Sequence, residues 1–236
     1  MPLKKHIPNT LTLCNLLAGC AGIVFVLRGS FSAVLVCLLI SVTCDFCDGF
    51  AARKLNAYSA IGKELDSLSD LVSFGLVPSF CLYYLYGSAH PDIPLVRFLP
   101  FTLAAASALR LAKFNTDTRQ TSSFLGLATT GCALLLIPLS VYSFYSREFI
   151  HDLMGSVWFI PLLAVLFSWL LVSEVPMFSL KKMTGQVKAF LVGSLVLAAA
   201  CLIREIRQPW YLFVSLSLFL IVVFYLVLNL ASLRRK

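Results

Sequence analysis

Charge is the first thing that this sequence lacks. Only 13% of its 236 residues are charged, whereas 59% are hydrophobic and the mean hydropathy is +0.90. A soluble domain carries about 25% charged residues. The composition therefore excludes a soluble globular protein and indicates an integral membrane protein.

A cysteine or histidine pattern of the zinc-binding kind is also lacking. The eight cysteines lie nearly all inside apolar runs, and Cys44 and Cys47 form a C-x-x-C next to aspartates. Carboxylates suit hard cations rather than thiol chemistry, so we expect no zinc or redox role there.

The net charge of +8 raises the question of nucleic acid binding. The basic residues, however, lie in small groups between apolar runs and not along one polar face. Such groups orient membrane proteins and attract anionic lipid. We therefore expect membrane lipid as a partner and no nucleic acid.

Apolar runs predict an all-α polytopic membrane protein with about eight transmembrane helices. The predicted helices cover residues 11–27, 31–55, 60–86, 96–114, 124–145, 157–172, 189–203 and 210–230. An even number of helices places both termini on one side of the membrane. Most of the 19 lysines and arginines fall on that side, so the positive-inside rule predicts that both termini face the cytoplasm.

Four aspartates interrupt the apolar pattern in the stretch "CDFCDGFAARKLNAYSAIGKELDSLSDLVSFG". Asp45 and Asp48 fall on one face of predicted helix two, and Asp66 and Asp70 fall on one face of helix three. The two helices form an antiparallel hairpin, so we expect the two faces to meet near its cytoplasmic end. Each charged residue at a helix centre costs roughly 2.5 to 3.5 kcal/mol, so the four carboxylates need a partner.

A divalent cation is the partner that these carboxylates predict. Salt bridges or helix caps explain one or two acids, but one neighbouring arginine cannot neutralise four. Oxygen ligands without histidine or thiolate select Mg²⁺ or Mn²⁺. Because intramembrane acids also mark ion pathways, a divalent-cation transporter is an alternative function.

The spacing Asp45-x-x-Asp48-Gly49-x-x-Ala52-Arg53, followed after eight residues by Gly62-x-x-x-Asp66-x-x-x-Asp70, resembles the signature of the CDP-alcohol phosphatidyltransferases. The resemblance implies a six-helix membrane core, usually in a homodimer, which we expect within residues 1–182. Residues 183–236 would then add two C-terminal helices. It also implies transfer of a phosphatidyl group from a CDP-linked lipid to an alcohol, with release of CMP.

The resemblance also implies roles for individual residues. Asp45, Asp48, Asp66 and Asp70 would hold the metal, and Asp70, expected on an exposed turn of the cluster, would be the catalytic base. The CDP-lipid would be bound by Asn9, Gly49, Arg53 and Ser59. Asn9 follows Pro8 and precedes predicted helix one, so it is also expected to cap the start of that helix.

Stretches outside the signature predict the acceptor alcohol. "IPNTLTLCNLLAG", "LDSLSDLVSFGLVPS", "ALRLAKFN" and "VSEVPMFSLKK" resemble the membrane-type phosphatidylserine synthases within this family. The resemblance implies that L-serine and CDP-diacylglycerol are the substrates. Arg110 needs an anionic partner because it lies in an apolar run, and that partner is the serine carboxylate or a lipid phosphate. Asn115 and Ser73 are further candidates, and glycerol 3-phosphate or inositol phosphate remains an alternative acceptor.

Overall fold

The computed structural model describes residues 3–116, 124–146, 148–177, 185–205 and 208–233. They form helices joined by short connections, with two two-residue strands. The helices are α1 (Leu3–Leu27), α2 (Phe31–Lys54), α3 (Ala60–Asp70), α4 (Val77–Ala89), α5 (Phe101–Thr116), α6 (Thr129–Tyr145), α7 (Phe149–Met154), α8 (Phe159–Val172), α9 (Gly185–Glu205) and α10 (Trp210–Leu233). The strands are β1 (Phe124–Leu125) and β2 (Pro176–Met177).

Long apolar helices confirm that the chain is a polytopic membrane protein. Four described segments are long and apolar enough to cross a membrane: His6–Leu27, Phe31–Lys54, Ala60–Ala89 and Trp210–Asn229. The shorter apolar helices are Thr129–Tyr145, Phe159–Val172 and Phe190–Ile203. Each of the eight predicted apolar segments contains a helix, and α7 is an additional short one.

The predicted start of helix one is wrong. The helix α1 begins at Leu3 and not near residue 11, so Pro8 and Asn9 lie inside it and not before it. Proline removes one backbone N–H, which would have bonded to the Lys4 carbonyl, so the helix loses a single bond near its end. Asn9 therefore does not cap this helix, and its side chain is available for other contacts.

The predicted start of helix five is also wrong, because the helix α6 begins at Thr129 rather than at residue 124. Phe124 and Leu125 pair instead with Met177 and Pro176 in an antiparallel ladder. Gly126 follows with a φ of +72°, in the left-handed region that interrupts a helix. This ladder ties the connection before α6 to the connection after α8.

Helices α3 and α4 form one continuous span through a π-helical turn, Leu71–Leu76. A π turn changes the direction in which the later side chains of the span point, because the rotation of 100° per residue of an α-helix does not apply to it. Two close contacts are made here. A Cβ atom on Gly19 of α1 would collide with Ser73, and one on Gly75 would lie 3.0 Å from Ser107 Cβ of α5. The turn is therefore packed between α1 and α5.

Helix α6 occupies the centre of the bundle. Its residues Ala133, Leu136, Ile137 and Val141 are fully buried. It packs against α2, α4 and α10, and α10 also packs against α9. On the other side of the bundle α1 packs along α2, and these two helices with α3 position the aspartates.

Candidate functional site

Three of the four predicted aspartates come together at the α2–α3 hairpin. Each of Asp45, Asp48 and Asp66 offers one carboxylate oxygen, and these atoms all lie within 4.8 Å of one another. Asp45 and Asp48 are three residues apart and so share a face of α2, which runs antiparallel to α3. We refer to these three residues as the carboxylate triad.

The chemistry of the triad fits a hard divalent cation. All three donors are carboxylate oxygens, which such ions prefer. One carboxylate oxygen of Asp66, Oδ1, is buried and has no hydrogen-bond partner among the described residues. A buried acceptor of this kind is costly unless something binds it, and a cation meets that requirement.

Helix α1 orients one member of the triad, Asp48. Thr12 Oγ1 donates a hydrogen bond of 2.6 Å to Asp48 Oδ2, and both residues are buried. Thr12 was not predicted as a site residue. Its position three residues after Asn9 on the same helix is a signal that could have found it, since the two side chains share a face.

Asp70 lies deeper than the sequence analysis predicted. It is only 9% exposed, so it does not sit on an exposed turn, and its Oδ1 accepts a hydrogen bond of 3.3 Å from Asn15 Nδ2. The packing of the π turn against α1 and α5 is the physical reason. Within the part of the chain that the structure describes, Asp70 is not a member of the carboxylate triad.

A cavity of about 200 Å³ opens beside the triad. The four residues predicted to bind the CDP-lipid all line it, together with Asp48 and Asp66. Those four residues are Asn9, Gly49, Arg53 and Ser59. Residues from α1, α2 and the α2–α3 connection thus converge on one space next to the candidate metal site.

Small residues keep this cavity open. A Cβ atom on Gly62 would lie 2.9 Å from Ser59 Oγ and 3.0 Å from Asn9 Oδ1, so a larger residue would push both away. Ser59 caps α3 by accepting a hydrogen bond of 2.9 Å from the Gly62 N–H. Arg53 is exposed, and its guanidinium lies beside Gly49, where a Cβ atom would be 3.4 Å from Nη1.

Comparison with known proteins agrees with this geometry. The family model described as CDP-alcohol phosphatidyltransferase matches residues 5–172. The chain belongs to the CDP-alcohol phosphatidyltransferase family. The match contains the carboxylate triad, Asp70 and all the residues that line the cavity.

Several curated members of this family are similar to the chain. The CDP-diacylglycerol--serine O-phosphatidyltransferase of Bacillus subtilis is 34% identical over 58% of this chain and 76% of its own length. An archaetidylserine synthase of Methanothermobacter thermautotrophicus is 32% identical over 60% of each chain. The CDP-diacylglycerol--serine O-phosphatidyltransferase of Mycobacterium bovis is 30% identical over 87% of this chain and 72% of its own length.

Arg110 of α5 is the buried cation of this phosphatidyltransferase. It is 9% exposed, and it is the only lysine or arginine that is buried among the described residues. Its guanidinium is within electrostatic range of Asp70, and its Nε has no hydrogen-bond partner in the described residues. A buried cation whose Nε is unpaired among these residues is compatible with binding an anionic group of a substrate.

The other two residues predicted to bind the acceptor alcohol, Asn115 and Ser73, already have hydrogen-bond partners in the protein. Asn115 Nδ2 donates to Ser67 Oγ at 2.9 Å, and the Asn115 carbonyl accepts from Lys63 Nζ at 2.9 Å, so this residue ties α5 to α3. Ser73 Oγ donates to the Asn15 carbonyl at 2.9 Å. Asn15, which sequence reasoning missed, is therefore in contact with both Asp70 and Ser73.

Proposed function

We propose that this protein transfers a phosphatidyl group from CDP-diacylglycerol to the hydroxyl of L-serine, which yields phosphatidylserine and CMP. The observation that carries the proposal is the cavity that joins Asn9, Gly49, Arg53 and Ser59 to the carboxylate triad. Family membership supports the phosphatidyl transfer, and the serine-specific relatives support the choice of acceptor.

Asp45, Asp48 and Asp66 would hold the divalent metal, either Mg²⁺ or Mn²⁺. Asp70 would contribute a fourth carboxylate at the edge of the same site. A bound divalent ion offsets the charge of a pyrophosphate and stabilises the departing phosphate group. Thr12 keeps the Asp48 carboxylate in place for this purpose through its hydrogen bond.

The protein's own groups bind and orient the CDP-lipid. Arg53 presents a planar cation that suits a bidentate contact with phosphate. Gly49 and Gly62 have no side chains, so the nucleotide can approach the backbone closely between Ser59 and Asn9. The reacting phosphorus is thereby held next to the carboxylates, which supplies much of the catalytic effect in phosphoryl transfer.

Asp70 acts as the general base in this proposal. It takes the proton from the serine hydroxyl while the serine oxygen forms a bond to the lipid-side phosphorus. The bond between that phosphorus and the CMP oxygen breaks, and CMP leaves with the electron pair. The burial of Asp70 keeps bulk water away from the reacting hydroxyl.

Arg110 would bind the serine carboxylate, since it is a buried cation within electrostatic range of the proposed base. Binding an acceptor alcohol that carries a phosphate would require more than one such cation. Among the described residues, no second lysine or arginine is buried. This favours serine over glycerol 3-phosphate and inositol phosphate.

We further propose a homodimer in the cytoplasmic (inner) membrane, with both termini and the active site facing the cytoplasm. The distribution of lysine and arginine supports this orientation. Residues 1–182 would form the six-helix catalytic core, and residues 183–236 would add α9 and α10. The family match, which ends at residue 172, supports this division.

The proposal is tested with the purified full-length protein, CDP-diacylglycerol and Mg²⁺ or Mn²⁺. CMP release is followed with L-serine, glycerol 3-phosphate or inositol phosphate as the acceptor. We expect CMP release with serine. Release only with another alcohol would contradict the choice of acceptor. No release with any alcohol, together with Mn²⁺ uptake into liposomes that contain the protein, would favour the transporter instead.

A further inference from the structure

The polar side chain in contact with Asp70 belongs to Asn15 of α1. Asn15 is completely buried, and its Nδ2 donates to Asp70 Oδ1 at 3.3 Å. Because the carboxylate accepts, the amide must turn its NH₂ group towards Asp70, and its oxygen faces away. That oxygen, Asn15 Oδ1, is buried and has no hydrogen-bond partner within the described residues.

The backbone of Asn15 is held from two sides. Its carbonyl oxygen accepts hydrogen bonds from Ser73 Oγ at 2.9 Å and from Ser41 Oγ at 3.4 Å. One turn further along α1, Gly19 allows the π turn that carries Ser73 to approach closely. The direction of the Asn15 side chain is therefore set by the fold before any substrate binds.

Two groups of complementary kinds, each with an unpaired atom among the described residues, thus belong to the surroundings of Asp70. Asn15 supplies a hydrogen-bond acceptor, and Arg110 supplies a cation whose Nε also lacks a partner within the described residues. Burying a polar group without a partner is unfavourable, so both groups need a ligand. An acceptor and a cation that both interact with the region of one base match the ammonium and the carboxylate of an amino acid.

We propose that Asn15 positions Asp70 and also accepts a hydrogen bond from the ammonium group of the amino-acid substrate. Asn15 Nδ2 holds the Asp70 carboxylate, Asn15 Oδ1 binds the ammonium, and Arg110 binds the carboxylate, so the hydroxyl is presented to Asp70. This assignment rests on the proposed function and identifies a residue that selects the acceptor. A site built around a buried acceptor rejects an alcohol that lacks the matching donor.

The test compares Asn15→Leu, which keeps the approximate size and removes both polar atoms, with Ser140→Ala on α6. Ser140 is also completely buried, and its hydroxyl donates to the Leu136 carbonyl of its own helix at 2.7 Å, so its variant reports on helix packing alone. We expect Asn15→Leu to raise the KM for L-serine about tenfold or more, while the KM for CDP-diacylglycerol changes less than about twofold. Ser140→Ala should keep both values near those of the wild type.

A second variant, Asn15→Asp, separates the two roles of the residue. It keeps an oxygen for the ammonium group but replaces the donor to Asp70 with a second carboxylate. We expect its serine KM to stay near that of the wild type while kcat falls about tenfold or more. This variant also tests the proposal if Asn15→Leu does not fold.

The outcomes distinguish this inference from the proposed function. If the wild type releases no CMP with serine, the acceptor assignment fails and the role of Asn15 in binding serine fails with it. If the wild type is active but Asn15→Leu keeps the wild-type serine KM, only the inference is wrong. It is also wrong if both KM values rise together in Asn15→Leu, or if Asn15→Asp raises the serine KM as much as Asn15→Leu does.

Discussion

Thr12 and Asp48 join the first two helices by a hydrogen bond of 2.6 Å, with Thr12 Oγ1 as the donor. Asp48 is 6% exposed, so few water molecules can replace this bond. The contact links α1, which also carries Asn9 into the cavity, to the carboxylate triad on α2 and α3. The triad therefore depends on a helix that contributes no carboxylate to it.

Thr12→Val should weaken metal binding, because it removes the hydrogen bond to Asp48 and keeps the shape of the side chain. A hydrogen bond to a charged group contributes about 1.5–3 kcal/mol, so the half-saturating Mn²⁺ concentration should rise about tenfold. It is measured by CMP release across a Mn²⁺ titration. Thr10→Val is the control, since Thr10 is exposed and its hydroxyl donates to the His6 carbonyl of the same helix. An equal shift in both variants would contradict the specific role of Thr12.

Replacement of any member of the carboxylate triad by asparagine should lower CMP release about 100-fold or more, because the metal loses an anionic ligand. Chelation with EDTA should have the same effect on the wild type, and added Mg²⁺ or Mn²⁺ should reverse it. Glu64→Gln is the matched control, because Glu64 is an exposed acid on the same helix as Asp66. Undiminished activity in EDTA would disprove a metal-dependent reaction.

Asp70→Asn should lower the rate of phosphatidyl transfer about 100-fold or more, because a neutral amide cannot take the proton from the acceptor hydroxyl. CDP-diacylglycerol binding should be largely retained, since the carboxylate triad remains intact. The rate is measured by CMP release, and binding by titration with radiolabelled CDP-lipid. Near-normal turnover in this variant would show that Asp70 is not the base.

Arg110→Gln should raise the KM for L-serine about tenfold or more, because a buried charged hydrogen bond to the carboxylate is lost. Lys113→Gln is the control from the same helix, since Lys113 is exposed. If Arg110 instead binds a lipid phosphate, the KM for CDP-diacylglycerol will rise in place of that for serine. Both constants come from the same CMP-release assay.

Gly19→Ala should destabilise the protein, because the added methyl group would collide with Ser73 in the π turn. Overpacking typically costs about 1–3 kcal/mol, so the apparent Tm in detergent should fall by about 4 °C or more. Gly22→Ala on the same helix should be tolerated, since its Cβ would lie 3.4 Å from the Val77 side chain. Equal melting temperatures for Gly19→Ala and the wild type would show that the turn can move aside.

The sequence predicted the helical segments and the meeting of the two aspartate faces because hydrophobic runs and residue spacing are local properties. It failed where a few residues changed the local backbone. Gly126 interrupts the predicted helix five, and Pro8 lies inside α1 instead of before it. In both cases the backbone conformation depends on interactions with neighbouring residues as well as on the preference of one residue type. The linear pattern does not contain those interactions.

The sequence alone determined that this is a polytopic membrane protein with the aspartate signature of the CDP-alcohol phosphatidyltransferases, since composition and spacing do not depend on packing. Only the tertiary structure decided which groups surround each carboxylate. It buried Asp70, placed Thr12 against Asp48 and brought Asn15 into contact with Asp70. These contacts join residues far apart in the chain, and they follow from how α1 packs against the hairpin and the π turn.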